Sequence, residues 1–143
     1  FALEKTAHSP HYEYHKFNPA DPKSHRRSVY RFIARSQPDP FMTTLDCADS
    51  SQSTPKRDET LTALQALSLL NNKFTLHMAN RFASRIEMES KTLRGRIRRA
   101  YQLTTGRPPT PNEMVTLEQY TQTHGLSNLC RVLFNLSEFT YVD

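Results

Sequence analysis

The sequence predicts an all-α fold: a compact bundle of about six helices with a long ordered loop and an irregular N-terminal arm. Three observations point there. Apolar residues recur at three- and four-residue spacings through most of the chain after Arg26. Ser, Thr and Asn stand just ahead of several of those runs, where helices are capped. No segment shows a convincing strand alternation. The expected organisation is an arm over residues 1–25 and a helical domain over residues 26–143.

The arm carries His8, His11, His15, His25, Tyr12, Tyr14 and three prolines without a sustained period. Val29, Phe32 and Ile33 then fall at i, i+3, i+4, the mark of a first amphipathic helix. That helix should end near Ser36, because Pro38 and Pro40 block its continuation. Residues 37–59 lack a strong period. A loop of that length either packs down, here through Phe41, Met42 and Leu45, or carries function.

"TALQALSLLNN" gives the second helix. Thr62 and Gln65 form a capping box: the hydroxyl accepts the Gln65 N–H, and the Gln65 side chain reaches back. Leu64, Ala66, Leu67, Leu69 and Leu70 are apolar nearly all round, which predicts a central helix. Asn72 can cap the third, where Phe74, Met78, Phe82 and Ile86 recur every four residues beside Ala79 and Ala83. Ser90 can cap the fourth, whose inner face is Leu93, Ile97, Ala100 and Tyr101, with Gly106 as the C-terminal stop. In "RPPTPNEM" Thr110 is the cap, Pro111 the first helical residue, and Glu113 completes a second capping box. Ser127 can cap the last, with Leu129, Val132, Leu133 and Leu136 at i, i+3, i+4, i+7.

The bulk composition narrows function by class. The chain has 143 residues and a net charge of +5. That charge tolerates an anionic partner but specifies none. Three glycines against nine prolines disfavour a Gly-rich phosphate loop. There is no apolar run long enough to span a bilayer and no secretory leader pattern, so no membrane insertion is expected. The chain begins at Phe1, and the expected setting is a processed product or a segment of a longer protein. Cys47 and Cys130 lie outside any Cys-x-x-Cys spacing, which excludes a zinc ribbon or a haem attachment in this chain. Two reduced thiols are expected rather than a bridge.

"HRRSVYRFIARSQPDPFMTTLDCADSS", "TLTALQALSLLNN" and "RIRRAYQLTTGRPPT…LCRVLFNLSEFTYVD" resemble the planctomycete-specific PSD domain of unknown function, in its C-terminal part. Ala63 and Lys73 depart from it, standing where many relatives have proline. The resemblance implies a large exported protein, hence an extracytoplasmic location, periplasmic or at the cell surface. It implies no cofactor in this chain, although a neighbouring domain of the parent can carry haem. It implies the upstream part of the parent protein as a partner.

Candidate sites follow from residue types. Asp46 and Asp49 flank Cys47 in "TTLDCADSS". Two carboxylates on a turn can share Ca²⁺, but the order of an EF-hand is missing and Asx-turns explain such residues. The expectation is a structural clamp in which Arg27 and Arg57 grip Asp46, with no metal. His8, His11 and His15 would form one metal-binding face on a helix, yet Pro10 argues against a helix there. His77 is read as a half-buried, hydrogen-bonded side chain. Lys91, Arg94, Arg96, Arg98 and Arg99 in "KTLRGRIRRAYQ" are read as a solvated face, not as a specific nucleic-acid interface. The function expected is a non-catalytic interaction or structural module. The alternative is part of a polysaccharide-related or redox-associated enzyme, with Asp46, Asp49 and Arg57 lining a cleft completed elsewhere.

Overall fold

The structure is a computed structural model, and it describes residues 3–6, 9–30, 37–47 and 62–140. Seven α-helices dominate the described residues, so the all-α expectation holds. The chain divides into two compact units, residues 1–68 and 69–143.

In the first unit the arm is not wholly irregular. β1 (Leu3–Thr6) and β2 (Ser9–Tyr12) pair antiparallel, with Leu3 opposite Tyr12 and Lys5 opposite Pro10. Proline is tolerated because each strand of a two-stranded ribbon is an edge. Short 3₁₀ turns follow at Tyr14–Lys16, Pro22–Ser24 and Ser28–Tyr30. The last covers the start of the expected first helix. Val29, read as part of its apolar face, is 73% exposed, and residues 31–36 lie outside the described part.

The loop expected over residues 37–59 contains α1 (Pro40–Thr44). Pro40 starts this helix instead of blocking one. Its missing N–H and fixed φ suit the first helical position, and the Asp39 carboxylate accepts the Phe41 N–H at 3.0 Å. Nearby, the buried Tyr14 donates its hydroxyl to the Gln37 carbonyl at 2.9 Å.

α2 (Ala63–Asn71) corrects a second expectation. The only buried side chain on it is Gln65, whereas Leu64 and Leu67 are 65% and 56% exposed. Apolar character all round a helix means its faces gain from cover, and more than half of each of these two leucines is open to solvent.

The second unit has a core of its own. α3 (Lys73–Glu89) packs on α6 (Leu126–Leu133) and on α4 (Leu93–Thr105); α5 (Pro111–His124) packs on α4 and α6; α7 (Ser137–Thr140) touches α4. Ile86, Ile97, Ala100, Tyr101, Met114, Leu129 and Leu133 form the centre. Ala79, Ala83 and Cys130 make an adjoining cluster, where small side chains let α3 and α6 approach. The buried line of α3 is Thr75, Ala79, Ala83 and Ile86, so Phe74 and Met78 are only half-buried. Phe134 stacks on both Phe82 (5.4 Å) and Phe139 (5.2 Å).

Caps set the boundaries. Asn72 accepts the Phe74 N–H at 2.8 Å and starts α3. Ser90 ends α3, and Thr92, not Ser90, caps α4 through the Gly95 N–H. Gly106, at φ +75°, takes the left-handed stop that L-residues resist. α6 begins at Gly125 with no side-chain cap, and Ser127 lies inside the helix.

Candidate functional site

Asp46 follows α1 directly and has a left-handed backbone, φ +55°, which Asp tolerates better than most residues. Its Oδ2 accepts the Gln65 Nε2 at 2.9 Å. Gln65 is 6% exposed. Its Oε1 accepts the Thr62 N–H at 3.1 Å, while its own N–H is accepted by the Thr62 hydroxyl at 3.2 Å. One carboxamide thus closes the capping box of α2 and ties that helix start to the Asp46 turn. Gln65 is thus a neutral partner of Asp46. Arg27 is exposed and makes no ion pair among the described residues; Asp49 and Arg57 lie outside them.

A larger polar cluster joins α4, α5 and α7. Arg107, in the turn after α4, grips Glu113 through both terminal nitrogens, at 3.0 and 2.9 Å. Its Nη2 also reaches the Tyr101 hydroxyl and Glu138 Oε1, each at 2.8 Å. Tyr101 donates its hydroxyl to Glu113 Oε1 at 2.7 Å. Glu113 Oε2 accepts the Thr110 N–H at 2.7 Å, and the Thr110 hydroxyl accepts the Glu113 N–H at 3.3 Å. The second capping box is therefore embedded in an ion-pair network. Arg107 holds Glu113 well below the usual carboxylate range, with the Thr110 N–H as the next cause. Burial, then Glu113, pushes the Tyr101 hydroxyl up to about 12. Glu113, followed by Glu138, raises Arg107 further above its already high value.

This cluster is built to hold geometry. Each Glu113 oxygen already accepts two donors, and a carboxylate stabilised as the anion is a poor proton acceptor. Nothing in "RPPTPNEM" alone showed that Tyr101 and Glu138 would meet it. The local signal covered only Thr110 and Glu113.

The other candidates scatter. Arg94 pairs with Glu118 at 3.5 Å, Arg99 with Glu89 at 2.7 Å, and Arg96 donates to the Ser90 carbonyl at 2.9 Å. Cys130 is buried, which pushes its thiol up to about 12; it and the half-buried Cys47 are both free. His77 is half-buried; His8 and the side chains of His11 and His15 are outside the described part. Among the described residues, no three His, Cys, Asp or Glu side chains are grouped to hold a metal ion. None of the described helices is long and apolar enough to cross a membrane.

The family model PSD1, described as a protein of unknown function (DUF1553), matches residues 3–121. The chain belongs to the PSD1 family. The match takes in the Asp46–Gln65 link and the Tyr101–Arg107–Glu113 cluster, and it stops within α5, before Glu138. No curated protein and no solved structure matches this PSD1 chain.

Proposed function

We propose that this PSD1 chain is a non-catalytic helical docking module of an exported multidomain protein, and that it docks on the upstream part of that protein. The exposed pair Leu64 and Leu67 on α2 carries this reading. Leucines this exposed on a capped helix gain by further burial, up to about 1.5–3 kcal/mol for each side chain taken from full exposure to full burial. Asp46 supports the same reading, since its carboxylate is engaged in fixing the start of that helix. The exported setting rests on the resemblance of the sequence motifs.

Calorimetric titration of the chain with the separately produced upstream part tests the proposal. Leu64→Ser with Leu67→Ser should weaken binding by at least about tenfold, with an unchanged circular dichroism spectrum. Equal affinity of parent and variant would overturn it.

A further inference from the structure

Three arginines are anchored in the same way where α3 turns into α4. Arg85 donates its Nε–H to Glu89 Oε1 at 2.8 Å. Arg99 donates its Nε–H to the other oxygen, Oε2, at 2.7 Å. Arg96 donates its Nε–H to the carbonyl of Ser90, the next residue, at 2.9 Å. Each guanidinium is held by its inner nitrogen. The terminal nitrogens of all three have no partner among the described residues.

Ordinary surface ion pairing does not require this arrangement. Arg85 precedes Glu89 by four residues, the less favourable order for a helical pair. Glu89 is the last residue of α3, where the helix dipole disfavours an anion. Arg99 and Arg85 nevertheless hold Glu89 below the usual carboxylate range. A carboxylate in a position that disfavours it orients two guanidiniums, and a carbonyl beside it orients a third.

We propose that the α3–α4 corner is a binding site for a doubly charged tetrahedral oxyanion, with Arg85, Arg96 and Arg99 as its ligands and Glu89 as the residue that positions two of them. Three guanidiniums against one carboxylate leave a local charge of +2, which matches a phosphate or sulfate group. Forked donors suit such oxygens, and a tetrahedral group can present several oxygens to several forks. The side chains of Arg85 and Arg99 are 58% and 42% exposed, so the site is open to solvent and binding is salt-sensitive. The site is independent of docking through Leu64 and Leu67.

The test is titration of the whole chain at low ionic strength with inorganic phosphate, with sulfate, with phenyl phosphate and with acetate, followed by the arginine Nε–H resonances in NMR. Saturable binding of phosphate and sulfate, without acetate binding, is expected. Equal affinity for phosphate and phenyl phosphate assigns the site to the free ion, and tighter binding of phenyl phosphate assigns it to an ester end group. Arg85→Lys and Arg99→Lys keep the charge but lose the anchored fork, and each should weaken binding about tenfold. Arg98→Lys should leave it unchanged. Glu89→Gln adds one net positive charge; it should still weaken binding, because the single carboxamide oxygen can anchor only one of the two forks and the new NH2 group cannot accept from the other. Tighter binding by Glu89→Gln, or equal losses in Arg98→Lys and Arg85→Lys, would show attraction by charge alone and overturn the proposal.

Discussion

The Gln65 carboxamide donates to the Asp46 carboxylate at 2.9 Å while its oxygen accepts the Thr62 N–H. A side chain that completes a helix cap thereby also fixes a turn 19 residues earlier in the sequence. Gln65→Ala removes both functions from a buried position. It should cost about 1–3 kcal/mol, read as a lower midpoint in urea unfolding. A change within error would mean that water replaces the carboxamide without loss.

Gln65→Glu separates the two ends of that side chain. Glutamate keeps an oxygen for the Thr62 N–H but turns the other end from a donor into an anion facing Asp46. Like charges raise the pKa of a carboxylate, so this variant should be closest to the parent in acid and fall away from it as pH rises through the carboxylate range. A constant difference across that range would count against a close Asp46–Gln65 contact.

Asp46 itself bears two demands, a left-handed backbone and an acceptor for Gln65. Asn meets both, since it tolerates positive φ and offers an amide oxygen. Ala meets neither. Asp46→Asn should therefore change stability little, and Asp46→Ala should cost about 2 kcal/mol, combining the lost acceptor with left-handed strain. Thermal unfolding of the pair checks this, and equal losses would remove the backbone argument.

These residues also show what the sequence could and could not reveal. That Asp46 needed a partner was readable from the apolar residues around it. The contact with Gln65 was not, because the capping box uses only one end of that side chain and a carboxamide has a second. Pro111 after Thr110 reads as a helix start, yet Pro40 after Asp39 reads as a helix stop, since five residues are too few to show a period. In the second unit α3, α4 and α5 were legible because each carries its own side-chain cap and its own apolar face, and α6 by its apolar face alone. The exposure of Leu64 and Leu67 was not, because hydrophobicity says that a face gains from cover and not whether cover is present. Glu138 lies 31 residues from Arg107, and no local pattern announces a contact at that separation.

Arg131 provides a test of how α2 ends. From α6 its Nε–H meets the Leu70 carbonyl, and its Nη2 meets Asn71 Oδ1, each at 2.6 Å. The last carbonyls of a helix lack internal partners, and a cation there also suits the dipole. Arg131→Met keeps much of the stem and removes the donors; it should cost about 1–2 kcal/mol. Amide exchange should quicken in the last turn of α2 before it does in α5. Uniform quickening across both helices would mean that the substitution acts on the core instead.

The Tyr101–Arg107–Glu113 cluster predicts a loss of stability at both ends of the pH scale. Glu113 has a lowered pKa in the folded chain. Its contribution is full above the unfolded carboxylate value and is lost as pH falls through the folded one. Tyr101 is raised from 10.0 to about 12. Its neutral hydroxyl is favoured by folding, so its contribution is full below pH 10 and is lost as pH rises toward 12. Glu113→Gln should flatten the acid limb of the stability curve, and Tyr101→Phe should flatten the alkaline limb. Arg107 stays charged across both windows, so neither limb reports on it. Tyr101 is one of six tyrosines, which makes the difference between parent and Tyr101→Phe the informative quantity, not the parent curve alone. Both variants are compared with the parent by thermal unfolding at closely spaced pH values. If parent and Tyr101→Phe lose stability in parallel between pH 10 and 12, the hydroxyl is neither shielded from water nor held by Glu113, and the cluster reduces to an Arg107–Glu113 ion pair.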